Sequence, residues 1–155
     1  MEITDRPSPP TGLRRLLWRL PIQLYRLGLG RLLGPRFLLL HHVGRVSGRD
    51  RRAVLEVVHH DGGGWTVASG FGPGADWYRN VGARPEVSIE VAGRRHRVTA
   101  RRLSEGKGAE LMVGYAHRHR RAATRLVGLL GYVVDGSDDD WAEVGGRLPF
   151  VRFEP

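Results

Sequence analysis

The chain predicts an α+β fold built mainly on antiparallel strands, closed into a small barrel or half-barrel with helices on its flanks. Three observations carry this. Five or six short apolar or alternating runs are separated by hairpin signals. One short helical stretch interrupts them and a longer helical region follows the last hairpin. The links between successive runs are too short for the crossovers that parallel strands need. At 155 residues the chain fits a single domain, long enough to bury a core around a small-molecule site.

Residues 1–12 are polar and proline-rich, which predicts a flexible arm. Residues 13–34 differ: Leu13, Leu16, Leu17, Leu20, Leu24 and Leu27 recur at helical steps among arginines, with a break at Pro21. Such a basic amphipathic segment, carrying Trp18 and Tyr25, suits either packing on its own domain or partner subunit, or peripheral contact with an anionic membrane. Its arginines recur too often for a transmembrane span. With no cleavable signal pattern, the expected location is cytoplasmic, at the inner face of the cell membrane if the segment meets lipid.

The barrel domain is expected over residues 35–155. Phe37 to Val43 and Ala53 to His60 read as strands, and Asp61-Gly62-Gly63-Gly64 turns the chain back into Trp65 to Ser69. Asp76 is placed to cap a short helix, Trp77 to Ala83, stopped by Pro85. Val87 to Val91 turns at Ala92-Gly93 into Arg94 to Leu103, with Arg95 and Arg97 on one face and His96, Val98 and Ala100 on the other. A helical region from Glu105 to Leu130 is expected to break near His119. After an acidic loop, Leu148 to Phe153 reads as the last strand.

Between the first two strands lies Val43-Gly44-Arg45-Val46-Ser47-Gly48-Arg49-Asp50-Arg51-Arg52, a glycine-bounded turn with four arginines in ten residues. Glycine lets the backbone turn tightly, Ser47 and main-chain N–H groups can donate to an oxyanion, and arginine adds planar permanent charge. The stretch reads equally as an anion cradle or as a hairpin loop with solvated arginines.

Net charge is +9, and the basic residues are arginines except for Lys107. The charge is uneven: residues 1–40 hold seven arginines against Glu2 and Asp5, while residues 135–155 hold six acids against Arg147 and Arg152. A basic front end suggests an anionic partner. Cysteine is absent, which removes disulfides, thiolate nucleophiles and cysteine metal sites. Ser47 and Ser69 lack the strand-to-helix elbow of a hydrolase nucleophile. His41-His42 and His59-His60 point to opposite faces of their strands, so neither pair chelates a metal; one of each is expected inward and hydrogen-bonded, the other solvated. No recognition helix and no aromatics interleaved with basic strand residues support nucleic-acid binding. A cofactor site fits better, because the loop Ala68 to Asn80 sets Ser69, glycines, Trp77 and Asn80 beside a strand end, where a planar heterocycle could be covered.

At these two segments the sequence resembles the deazaflavin (F420)-dependent nitroreductase family, oxidoreductases of the FMN-binding split β-barrel type. The residues are Gly44 to Arg51 with Val67-Ala68-Ser69, then Asp76-Trp77-Tyr78-Arg79-Asn80 and Ala83 to Val87. The resemblance implies an F420H2-dependent oxidoreductase that passes hydride to a lipophilic quinone-like, activated-alkene or nitroaromatic acceptor. FMN is the alternative cofactor, and a non-catalytic flavin-binding barrel the alternative role. It implies that Arg45, Val46, Ser47, Gly48 and Arg51 hold the anionic tail of F420, with Arg49 or Arg52 making up for Val46 where the family usually has lysine. Val54 and Leu55 would lie beside the deazaflavin ring, Ala68, Ser69 and Gly70 would meet it, and Trp77 and Asn80 would close the site. Ser69 is the candidate hydrogen-bond donor to substrate. Phe71-Gly72 replaces a glycine pair, and the C-terminal tyrosines of some relatives have no counterpart. A homodimer is compatible with the family; a metal and nucleic acid are not expected.

Overall fold

A computed structural model describes residues 2–3, 34–70 and 72–155. The expectations placed on the remainder of the arm, on the amphipathic segment up to residue 33 and on Phe71 fall outside them. The strands are β1 (Glu2–Ile3), β2 (Phe37–Val43), β3 (Asp50–Asp61), β4 (Gly64–Ala68), β5 (Glu86–Val91), β6 (Arg94–Arg102), β7 (Tyr132–Val133) and β8 (Phe150–Glu154). The helices are α1 (Asp76–Ala83), α2 (Glu105–Arg118), α3 (Arg120–Leu129) and α4 (Asp138–Arg147). Six strands close an antiparallel barrel in the order β2-β3-β4-β8-β6-β5, and β1 pairs with β7 apart from it.

Strand alternation sorts the side chains into two cores. Leu38 and Leu40 of β2, Ile89 and Val91 of β5, Val98 of β6 and Phe153 of β8 fill the barrel. On the outside, Phe150 and Val58 meet Met112, Tyr115, Val127, Trp141 and Val144 from the three later helices. Tyr115 ties that layer down by donating its hydroxyl to Glu56 of β3 at 2.8 Å. Helices α2 and α4 cross at Gly108 and Gly145, where a Cβ on either glycine would strike the carbonyl oxygen of the other. The interior glycines therefore permit a close helix crossing as well as weakening the helix.

α1 lies against the end of the barrel. Val81 is buried in the barrel core, with Trp77 and Tyr78 packed on it. The Arg102 guanidinium sits 4.4 Å from the Tyr78 ring centroid, a cation–π contact that holds the helix to β6. The site is thus built where this helix meets the β2–β3 turn.

Several expectations are corrected. Arg51 and Arg52 belong to β3, because pairing continues to Val43 opposite Asp50 and leaves only Gly44–Arg49 as the turn. Asp76 does not cap its helix: Ala75 is the N-cap, without a side-chain bond, and Asp76 opens the first turn. The acidic loop contains α4, with Ser137 accepting from the Asp140 N–H and three aspartates in the first turn, where the helix dipole favours negative charge. Finally, His42 is inward as expected of one member of its pair, but His41 is bonded to Glu90 Oε2 at 2.6 Å rather than simply solvated.

Candidate functional site

The turn from β2 to β3 closes on its own main chain. Gly44 N–H donates to the Arg49 carbonyl and Gly48 N–H to the Gly44 carbonyl, each at 2.9 Å. Gly48 has φ +68°, left-handed backbone that a side chain would strain. Ser47 Oγ accepts from the Arg49 N–H at 3.2 Å, which braces the loop and leaves the hydroxyl proton free to donate outward.

Arg45 is anchored from α1. Its main-chain N–H reaches Asn80 Oδ1 at 3.1 Å, and its Nη1 reaches the same oxygen at 2.9 Å. The Asn80 amide nitrogen lies 3.1 Å from His42 Nδ1, within buried surroundings. Asp76 Oδ1 stands 3.4 Å from Arg45 Nη1. Aspartate and asparagine four residues apart on one helix face therefore fix one arginine, which leaves the rest of its planar guanidinium for a ligand. Burial, aided by the charge of Arg51, pulls the His42 pKa down to about 4, against the opposing pull of Asp76. The ring is thus neutral across ordinary pH.

These groups face a cleft of about 740 Å³. It brings together Arg45, Val46, Ser47, Arg51, Arg52, Trp77 and Asn80 of the expected site. Gly48 shapes the turn without lining the cleft. Val54 and Leu55 lie farther along β3, where Leu55 packs into the barrel core. Ala68 packs toward the outer helices, and a side chain on Gly70 would come within 3.1 Å of Leu130. Ser69 is fully buried and donates its hydroxyl to the Gly72 carbonyl at 2.6 Å, so in this conformation it offers no proton to the cleft. Two residues of the site are not among the expected ligand-binding residues: His42, one of a histidine pair expected to split between inward and solvated, and Asp76, expected as a cap and as part of the family motif but not as a partner of Arg45. The signal for both is their register, His42 on the inward face beside the rim and Asp76 four before Asn80.

A second cleft of about 670 Å³ shares His42, Arg51 and Arg52 with the first and adds Arg84, Arg95 and Arg97. Arg51 and Arg52 make no ion pair among the described residues. In the first cleft Asp76 is the one carboxylate facing three guanidiniums. That donor set suits a ligand with an anionic arm, and the Trp77 ring supplies an apolar surface for a flat one. Among the described residues no group of three His, Cys, Asp or Glu side chains is arranged to hold a metal ion.

The family described as F420H(2)-dependent quinone reductase matches residues 22–125. No curated protein sequence matches the chain. Among solved structures, an F420-H2 dependent reductase (FDR-A) aligns with TM-score 0.52 and 20% identity, over 77% of this chain and 94% of that one. A domain-swapped dimer aligns with TM-score 0.53 and 21% identity, over 86% and 99%. HutZ, the haem storage protein from Vibrio cholerae, aligns with TM-score 0.51 and 16% identity, over 85% and 89%. At these identities the structural likeness carries the fold, which all three share.

Proposed function

The chain belongs to the F420H2-dependent quinone reductase family and is an F420-dependent oxidoreductase; from that premise we propose that its physiological acceptor is a lipophilic quinone-like molecule. Activated alkenes and nitroaromatics are secondary acceptors in this reading. One observation supports the cofactor placement above the others: Arg45, held by Asn80, lines one cleft together with Arg51, Arg52 and Trp77.

The cofactor, when reduced, supplies the hydride. The protein's part is binding and orientation. Arg45, Arg51 and Arg52 would hold the anionic tail, with Ser47 Oγ–H as a further donor. Trp77 would cover the planar ring and exclude water from it. Asn80 keeps Arg45 in place and so fixes where the tail enters. The family match carries F420 and gives no support to FMN.

The acceptor class also draws on the leucine-rich residues 13–34, which would bring the enzyme to the inner face of a membrane where lipophilic quinones reside. No helix among the described residues is long and apolar enough to cross a membrane. Homodimerisation belongs to the same proposal, because one structural relative is a domain-swapped dimer.

Two measurements decide it. Purified protein is titrated with F420 by fluorescence, and oxidation of F420H2 is followed with menadione, an activated enone and a nitroaromatic. Saturable binding and fastest turnover with menadione are expected. Binding with no turnover of any acceptor removes the assigned chemistry, and faster turnover of the nitroaromatic removes the quinone preference.

A further inference from the structure

We infer that His42 is a neutral hydrogen-bond donor to the bound deazaflavin, locked by Asn80 in the tautomer that carries its proton on Nε2. The ligand half of this inference rests on the F420 reading; the tautomer half stands on the hydrogen bonds alone.

The tautomer follows from the donors of Arg45. Its main-chain N–H and its Nη1–H can only donate, and both point at one terminal atom of the Asn80 amide, at 3.1 and 2.9 Å. That atom must be the oxygen. The other terminal atom is then the NH2 group, which lies 3.1 Å from His42 Nδ1 and has no lone pair to offer. Nδ1 must therefore accept and cannot bear a proton. A neutral ring with a bare Nδ1 carries its hydrogen on Nε2, and an imidazolium would set N–H against N–H.

The surroundings agree. Arg51 stands opposite His42 in the β2–β3 ladder, Arg45 comes from the turn, and His41 precedes it on its own strand; Asp76 of α1 pulls the other way, and Asp50 and Glu86 line the second cleft with it. Burial and the Arg51 guanidinium together outweigh Asp76 and oppose protonation.

Nε2 has somewhere to donate. Among the described residues, Thr66 Oγ1 is the one enclosed side-chain polar atom without a partner. His42 Nε2 makes no bond to any described residue, so it is not enclosed, and His42 lines both clefts at the rim they share. The guanidiniums select charge, whereas a fixed neutral N–H adds direction without further charge. It serves either a phosphate oxygen of the tail or a carbonyl or hydroxyl oxygen nearer the ring.

The imidazole nitrogens are read by 15N NMR in protein without ligand and again with F420. An unprotonated Nδ1 and a protonated Nε2 are expected, unchanged from pH 7.5 to about pH 5.5, with the Nε2 resonance moving when F420 binds. His42→Phe is expected to weaken F420 binding roughly tenfold, while His42→Gln, which keeps a donor at the same reach, stays within about threefold. Comparing F420 with the deazaflavin stripped of its phosphate tail locates the oxygen: loss for both places it on the ring or ribityl side, loss for F420 alone on the phosphate. A protonated Nδ1 at pH 7 overturns the inference. So does a folded His42→Phe protein that binds F420 as tightly as wild type with Nε2 unmoved. If wild type binds no F420, the cofactor reading and the ligand half fall together, and the ligand-free spectra still judge the tautomer by themselves.

Discussion

Asn80 Oδ1 accepts two hydrogen bonds from Arg45, one from its main chain at 3.1 Å and one from its guanidinium at 2.9 Å. A single buried amide on α1 therefore sets both the path of the β2–β3 turn and the direction of its first arginine. The turn alone reads as a solvated loop as readily as a binding site; Asn80, about one turn along α1 from Asp76, removes that ambiguity by holding the arginine still.

Asn80→Ala is the direct test of that coupling. It leaves the Arg45 N–H and His42 Nδ1 without their partner in a buried setting, a loss of about 1–3 kcal/mol in stability. F420 affinity is expected to fall at least about tenfold, and to fall equally for Arg45→Ala, because both remove the same placed guanidinium. The double variant should lose little more than either single one. Additive losses, measured by fluorescence titration, would show that Asn80 and Arg45 act separately.

Val46 is the exposed apolar residue of the turn, with 92% of its surface open, and it lines the cleft. Val46→Lys adds a cation beside Arg45 without displacing any packed atom. Affinity for F420 is expected to rise severalfold at low ionic strength and to return toward the wild-type value near 0.5 M salt, because the gain is screened. An unchanged affinity at low salt would mean that the tail does not pass this residue.

The buried His42 gives stability a pH dependence with a definite sign. Its pKa falls from 6.5 to about 4 on folding. Between those values the unfolded chain holds a proton that the folded chain does not, so stability is greatest above about pH 6.5 and declines as pH drops toward 4. The decline from this group is on the order of 2–3 kcal/mol. Urea unfolding at pH 7, 6, 5 and 4.5 should show it in wild type and show a shallower slope in His42→Gln; equal slopes would assign the decline to other groups.

The barrel was legible because its strands alternate and its hairpins carry strong turn residues, as at Ala92-Gly93, where both φ angles are positive. α4 was not, because Ser137 followed by three aspartates reads as a loop until the N-terminal dipole and the inward Trp141 and Val144 are weighed together. The cleft was legible in part. Arginines and Trp77 announce themselves by type, whereas Asn80 and His42 matter through a contact between residues 38 apart in sequence, which no local pattern encodes. Ser69 shows the converse: its glycine-rich setting suggests an open donor, and the same flexibility lets its hydroxyl close on Gly72.

The α2–α4 crossing yields a paired test within one helix. A Cβ on Gly108 would lie 2.5 Å from the Gly145 carbonyl oxygen and 2.9 Å from a Phe150 ring carbon, and neither the backbone oxygen nor the packed ring can move without shifting an element. A Cβ on Gly114 would meet only the end of the Arg118 side chain, 3.2 Å away, which can swing aside. Both substitutions to alanine gain up to about 1 kcal/mol of helix propensity. At Gly114 that gain stands, and the melting temperature should rise by roughly 2–4 °C. At Gly108 overpacking of about 1–3 kcal/mol or more exceeds it, and the melting temperature should fall. Thermal unfolding of the two variants side by side separates propensity from packing, and a rise in both would mean that the two helices cross with room to spare.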